Sequence, residues 1–412
     1  MSRPTARVLL APRREWPAEG RHPWVFSGAV AKTEGEPADG AEVCVVAHDG
    51  RFVARGLFNH HSQIRVRLYA WDEKVVLDDD FWRASVRAAV DVRRDLGLLG
   101  EDEACRLVFS EGDGLSGLIV DRYGTWLAVQ FTSLALWQRR DVLLAALSDA
   151  LLPNVTVEGV VLRTEKGVLD EEGLEVSDGP LVGSEPEGPV TIHEHGVRML
   201  VDLRTGQKTG AYLDQRDNRV RAGRYATGRR VADVCCYTGG FTLSLLAAGA
   251  QAVTAVDVSQ RALELARRNL ELNGMSDGRV SLEACDAFRW LEGEIEAGRR
   301  YGMVVLDPPR FARSAKGVAQ AIKGYASLNE LAMRCLEPGG VLVTCSCTGR
   351  VDTSQFVGAV ATAARRSGRR VRILESHGQP PDHPISPTCP ETAYLKCLIC
   401  RVEGAVTPET PA

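Results

Sequence analysis

The chain has 412 residues, 44% hydrophobic and 25% charged, with a net charge of −4 and a pI near 6.1. That length holds two or three domains with separate cores, and a composition this ordinary excludes a fibrous, disordered or polycationic chain, so any grip on nucleic acid must be local. No apolar run approaches the roughly 18 residues of a membrane span, which points to the cytosol, and eleven scattered cysteines point to free thiols rather than a disulfide framework.

Residues 1–73 read as short strands, with "EVCVVAHDGRFVARGLF" and "QIRVRLYAW" flanking turns and Asp49-Gly50 as a hairpin signal. Residues 74–186 predict a small central α+β domain: a helix at "DDDFWRASVRAAVDVRRDLGLL", then strands, a helix near "LWQRRDVLLAALSDAL" and a further strand. "GPLVGSEPEGPV", Gly179 to Val190, is half Gly and Pro and reads as a linker or boundary. From 187 to 404 strands alternate with helices: "RVADVCC", "AVTAVDV", "RVSLEACD", "GMVVLDPP", "GGVLVTCSC" and "AYLKCLICRV". That alternation predicts an α/β, doubly wound, Rossmann-like parallel sheet whose ligands bind beyond the strands' carboxyl ends. A tail over 405–412 is expected to be disordered.

The candidate chemistry gathers at those strand ends. "DVCCYTGGFTL" turns through Gly239-Gly240 without forming a GxGxxG; the second strand ends in Asp257, the third in Asp286-Ala287, the fourth in Asp307-Pro308-Pro309-Arg310. Acids at three successive strand ends suit adenosylmethionine, with its ribose, adenine amine and ammonium but no pyrophosphate, better than a dinucleotide. Each acid alone is more simply a helix or strand cap; together they make a site.

Cys345 and Cys347 end the fifth strand. A metal needs about four ligands, and neither "KCLICR" nor "TIHEHG" completes a set, so no metal is expected. Burial explains Cys235, Cys335 and Cys397 well. Cys345, at the carboxyl end of the strand after the one ending in Asp307, can instead be a nucleophile. A thiolate adding to carbon 6 of cytosine makes carbon 5 enamine-like, and an acid bonded to N3 stabilises the developing charge.

At these residues the chain resembles the RlmI-like family, class I adenosylmethionine-dependent 23S rRNA cytosine-C5 methyltransferases. "GRHPWVFSGAV" resembles the start of that family's PUA domain and "EGDGLSGLIVDRYG" its central domain. "KTGAYLDQRDNR", "CYTGGFTLSLL", "LDPPRFA", "GYASLN", "TCSC" and "DHP" resemble its catalytic domain in the same order. The resemblance implies Cys345 as nucleophile and Asp307 as acid. It puts Gln215, Arg216, Asp233, Tyr237, Gly239, Asp257, Asp286, Ala287, Asp307 and Pro308 on cofactor-binding segments. Arg310, Tyr325, Asn329 and His383 fall at substrate-side motif positions. The implied partner is 23S rRNA or a large-subunit assembly intermediate, with a homodimer as a further expectation. Two departures stand out: Ala326 where a lysine is expected, and Cys347 as an extra thiol. Two arginine clusters, one from Arg219 to Arg230 and one from Arg365 to Arg372, are candidate phosphate contacts or solvated faces. The competing readings are rRNA guanine methylation, which needs no thiol, and a non-catalytic adenosylmethionine-binding assembly factor.

Overall fold

A computed structural model describes residues 6–153, 155–165, 167–312 and 315–405, so the expected disordered tail lies outside the described residues beyond Ala405. The chain divides into two compact units. The first holds the residues up to Ile192 with Val201–Leu213 and Pro381–Thr392; the second holds His193–Leu200, Asp214–Pro380 and the chain from Ala393.

The first unit opens with β1 (Arg7–Leu10), α1 (Trp16–Glu19), β2 (Trp24–Phe26), β3 (Val30–Glu34), β4 (Glu42–Val46), β5 (Phe52–Phe58) and β6 (Ile64–Ala70), a six-stranded sheet in the order β2-β6-β5-β4-β1-β3. Alternate residues Val8 and Leu10, Val43 and Val45, and Val66 and Leu68 are buried in its core. α2 (Asp79–Asp95) follows, started by Asp78, whose carboxylate accepts from Phe81 N–H at 3.0 Å, and ended with Arg93 and Arg94 in its last turn.

Next come β7 (Ala104–Phe109), β8 (Leu118–Tyr123), β9 (Trp126–Phe131), α3 (Leu134–Trp137), α4 (Arg140–Leu151), β10 (Gly159–Leu162), α5 (Val168–Glu172) and β11 (Gly179–Gly183). The five strands order as β11-β10-β9-β8-β7. The linker expected from Gly179 is therefore partly a strand: β11 pairs antiparallel with β10 at the sheet's edge, where Pro180 needs no ladder partner for its missing N–H. Leu57, Tyr69 and Ala70 share one core with Trp82, Val86 and Leu107, so the β-rich and central segments pack as a single body.

A hairpin of β12 (Val190–Glu194) and β13 (Val197–Val201) carries the chain to the second unit. There α6 (Arg216–Gly223), β14 (Arg230–Val234), α7 (Gly240–Ala247), β15 (Ala252–Asp257), α8 (Gln260–Leu272), β16 (Val280–Ala284), α9 (Ala287–Glu296), β17 (Tyr301–Leu306), α10 (Val318–Cys335) and β18 (Leu336–Ser346) alternate as expected. Ser259 caps α8, accepting from Ala262 N–H at 3.2 Å.

α11 (Thr353–Ser367), β19 (Arg369–His377) and β20 (Lys396–Ala405) complete a seven-stranded sheet ordered β16-β15-β14-β17-β18-β20-β19. Two features depart from the sequence reading. β20 is antiparallel and lies between β18 and β19. β19 itself was read only as an arginine cluster, because an edge strand with both faces mostly exposed carries no apolar alternation.

Candidate active site

The turn after β14 runs through Cys235 (φ 65°), Tyr237 (φ 50°) and Gly239 (φ 83°), which starts α7. Non-glycine residues in this left-handed region cost about 1–3 kcal/mol each and persist only where surrounding bonds hold them. Here Tyr237 N–H donates to Asp257 Oδ2 at 2.9 Å, Gly239 N–H to Cys236 O at 2.9 Å, and Asn269 Nδ2 to Thr238 O at 3.0 Å. Cys235, expected to be core filler, is half-buried in this turn and packs against the core. Packing against α6 also demands a glycine at position 240, since a Cβ there would lie 2.7 Å from Arg219 Nε.

Asp233, within β14, is fully buried. Its Oδ2 accepts from the Thr242 hydroxyl at 2.6 Å, while its Oδ1 has no partner among the described residues. Burial pushes its pKa up to about 6, against the pull of its hydrogen bonds from Thr242. At the end of β15, Asp257 Oδ1 accepts from Ser259 N–H at 2.9 Å. Asp286 starts α9, accepting from Phe288 and Arg289 N–H at 3.0 and 3.1 Å; Ala287 is the first residue of that helix. A carboxylate oxygen has two acceptor sites, so these acids keep capacity for ribose hydroxyls and an adenine amine. Asp257 and Asp286 thus lie at or just beyond the ends of the neighbouring strands β15 and β16, while the orphaned Oδ1 of buried Asp233 fits a donor group of adenosylmethionine. Sequence reasoning missed Val258, an apolar side chain 71% exposed directly after Asp257, where a flat base can cover it.

β17 and β18 are parallel neighbours, with Leu306 opposite Thr344. Asp307, half-buried just past β17, accepts from Gln215 Nε2 at 2.9 Å through its Oδ1. Gln215 is buried and closes the short 3₁₀ turn before α6, and Arg216 is the buried first residue of that helix.

The expectation for Cys345 is corrected by its surroundings. It is fully buried inside β18, directly opposite Cys397 of β20. The hydrogen bond it makes with Cys397 and its burial together hold its thiol well above the usual range, with a bond to Gln215 opposing them. A reactive thiol needs access and a stabilised thiolate, and Cys345 has neither. Cys347 lies beyond the strand's last residue, half-buried, with Sγ 4.0 Å from the Pro308 carbonyl oxygen. Lys396, opposite Ser346 in β20, also went unweighted; a lysine directly before the apolar run Cys397 to Cys400 was the available signal.

The substrate-side expectations separate. Arg310 is exposed, on the loop where Pro308, expected on the cofactor side, is buried. Tyr325 and Asn329 are core residues of α10, not surface contacts. Tyr325 packs its ring on Phe311, with centroids 4.6 Å apart, and its hydroxyl meets Thr348 Oγ1 at 2.8 Å; Asn329 Nδ2 donates to Tyr325 O at 2.8 Å. Ala326 is 3% exposed among them, so a phosphate-binding lysine has no outward path at this position. His383 belongs to the first unit, buried beside Asp382 and packed on Phe109.

The arginine clusters are partly structural. Arg219 makes a buried pair with both oxygens of Glu194 at 2.7 Å, and Arg369 binds the carbonyls of Met333, Leu336 and Glu337. Among the described residues, the His/Cys/carboxylate groupings tight enough for a metal are His22, Cys389 and Glu391, and Asp39, His60 and His61; neither contains Cys345 or Cys347.

A family described as S-adenosylmethionine-dependent methyltransferase matches residues 168–401, and a PUA-like domain matches residues 8–71. A protein named ribosomal RNA large subunit methyltransferase I from Klebsiella pneumoniae is 39% identical over 396 residues, covering 96% of this chain and 98% of its own. Its namesake from Aeromonas hydrophila is 41% identical over 402 residues, covering 96% and 99%. A solved methyltransferase from Streptococcus mutans superposes with a TM-score of 0.81 at 21% identity, covering 96% of this chain and 99% of its own. Another, complexed with S-adenosylhomocysteine, gives 0.82 at 22% identity over the same shares. With matches running nearly end to end, the chain belongs to the ribosomal RNA large subunit methyltransferase I family of S-adenosylmethionine-dependent methyltransferases.

Proposed function

We propose that the chain methylates carbon 5 of a cytosine in 23S rRNA through a covalent thiol adduct, with Cys347 rather than Cys345 as the nucleophile. The observation that carries this reading is the pairing of a half-buried thiol and a half-buried carboxylate, Cys347 and Asp307, just past the ends of adjacent parallel strands. Adjacent strands are about 4.8 Å apart, a spacing that suits opposite edges of one pyrimidine ring.

In this reading a base is flipped out of its RNA stack toward the rim. Cys347 adds to carbon 6, and Asp307, oriented by Gln215, bonds N3 and stabilises the charge that develops on the ring. Asp233, Asp257, Asp286 and Val258 hold the cofactor. Bound adenosylmethionine supplies an electrophilic methyl group for carbon 5. A general base then takes the carbon 5 proton, the freed electron pair re-forms the 5,6 double bond, and the carbon 6–sulfur bond breaks to release the thiolate.

The relatives' names support large-subunit rRNA as substrate, and the PUA-like match supports an RNA-holding N-terminal segment. No helix among the described residues is long and apolar enough to cross a membrane. We place the reaction in the cytosol, on naked rRNA or an assembling subunit.

The test is mass spectrometry of nucleosides from 23S rRNA of a strain lacking this protein, after incubation with adenosylmethionine and enzyme. The expected result is new 5-methylcytidine with wild type and Cys345→Ala, and none with Cys347→Ala. A methylated guanosine, or 5-methylcytidine made by Cys347→Ala, would overturn the reading.

A further inference from the structure

β20 begins Lys396-Cys397-Leu398-Ile399-Cys400, and its lysine side chain is buried, the residue being only 4% exposed. Among the described residues no carboxylate pairs with it. Burying an unpaired ammonium is expensive, so such a lysine either sheds its proton readily or sits beside an anion that the chemistry creates. Its Nζ donates to the Thr348 carbonyl at 2.7 Å and to the Tyr394 carbonyl at 2.8 Å. Those two bonds use two of the nitrogen's positions. The third holds a proton in the ammonium and a lone pair in the amine. Because Thr348 directly follows Cys347, and Ser346 is the cross-strand partner of Lys396, the nitrogen is anchored against the segment that carries the thiol.

We propose that Lys396 is the proton acceptor and standing counter-cation of Cys347, holding it as a thiolate ready to attack. The S–H bond of Cys347 breaks, an N–H bond forms at Nζ, and the electron pair stays on sulfur. Addition to the base and later elimination return the same thiolate to the same ammonium, so the lysine carries no net proton per turnover. The proton lost from carbon 5 is a separate event. This inference rests on Cys347 being the nucleophile and supplies what that reading lacks, a source of thiolate near neutral pH.

The electrostatics support it. Burial brings the Lys396 pKa down to about 8, within reach of proton exchange with a thiol, while Cys347 and Asp352 pull it back up. By reciprocity, an ammonium stabilised by Cys347 stabilises the Cys347 thiolate. Other ionisable groups close to this segment are Tyr325 of α10, bonded to Thr348, Asp307 beyond β17, and the paired thiols of Cys345 and Cys397; burial raises the tyrosine's pKa, and the Cys397 hydrogen bond with burial raises that of Cys345. The competing role for Lys396 is a mechanical clip on the two carbonyls, which would leave the thiol's titration unchanged.

The experiment is pH-dependent alkylation of the full-length protein by iodoacetamide, read at the Cys347 peptide by mass spectrometry, with methyl transfer measured alongside. Wild type should alkylate at Cys347 with a midpoint at least one unit below the ordinary thiol value of about 8.5. Lys396→Met should raise that midpoint by a unit or more and lower methyl transfer at pH 7 at least tenfold, with part of the loss recovered at pH 9. Lys396→Arg, which keeps the charge, should keep the low midpoint. A wild-type midpoint at or above 8.5 overturns the inference without any variant, as does an unchanged midpoint in Lys396→Met or a raised one in Lys396→Arg. Failure of the underlying reading is visible separately, as methyl transfer surviving in Cys347→Ala.

Discussion

Gln215 is held at both ends of its amide: Nε2 donates to Asp307 Oδ1 at 2.9 Å, and Oε1 accepts from Asn218 Nδ2 at 2.8 Å. The carboxylate beyond β17 is thus aimed by a side chain whose own orientation is dictated by its neighbour. Gln215→Ala should lower kcat by about 10- to 100-fold, the range for a mispositioned acid or base group, with little change in KM for adenosylmethionine. Gln215→Glu should go further and move the acidic limb of the kcat profile upward, because a second carboxylate raises the proton affinity of the first. Wild-type pH profiles in both variants would remove Gln215 from the mechanism.

The two neighbouring thiols should separate cleanly. Cys345→Ala removes a fully buried sulfur from β18 and should cost about 1 kcal/mol of stability, a small cavity's worth, while methyl transfer stays within a few-fold of wild type. Cys347→Ala should leave the denaturation midpoint nearly unchanged and abolish product. Urea denaturation beside a methyl-transfer assay checks both; the opposite pattern would restore Cys345 as the nucleophile.

Asp233 makes stability depend on pH in a calculable direction. Its carboxyl titrates near 6 in the folded protein against 3.8 when unperturbed. Between those values the folded state holds more protons than the unfolded one, so the stabilisation is complete at low pH and is lost as pH rises toward 6, by of order 1–3 kcal/mol. Asp233→Asn should flatten that slope and weaken adenosylmethionine binding. Denaturant midpoints at pH 4.5 and 7 measure it, and an undiminished slope in the variant would assign the dependence to another group.

Two glycine substitutions should have opposite signs. Gly240→Ala drives a Cβ to 2.7 Å from Arg219 Nε, disturbing the guanidinium that pairs with Glu194. It should cost about 1–3 kcal/mol and reduce cofactor affinity. Gly358→Ala, inside α11 with nothing within 4 Å of the added carbon, should stabilise by about 0.5–1 kcal/mol. Thermal unfolding of both variants decides, and equal effects would refute the packing argument.

Much of the second unit was legible because its parallel strands are short apolar runs ending in acids, and Asp233, Asp257, Asp286 and Asp307 fall on β14 or the ends of β15, β16 and β17. What stayed hidden was contact-dependent. "TCSC" does not say where β18 stops, so it cannot distinguish a thiol facing Cys397 from one two residues on at the rim. Arg219 looks like any RNA-binding arginine until Glu194, 25 residues away, is placed against it. Tyr325, Ala326 and Asn329 carry motif identity, yet their positions in α10 bury them. Removing residues 1–73 is likewise no clean test of RNA binding, because Leu57, Tyr69 and Ala70 belong to the core shared with Trp82 and Val86.

The placement of β20 between β18 and β19 has a consequence for how the molecule is made. β19 precedes β20 in the chain, so the sheet must keep a slot open beside β18 until the later strand arrives. A premature β18–β19 pairing would be a kinetic trap, and long-range insertions of this kind are intrinsically slow. The strand that fills the slot also brings Lys396, whereas Asp233, Asp257 and Asp286 belong to elements earlier in the chain. If Lys396 activates Cys347 as proposed, a chain caught before insertion would lack that activation, because the lysine would not yet lie opposite Ser346.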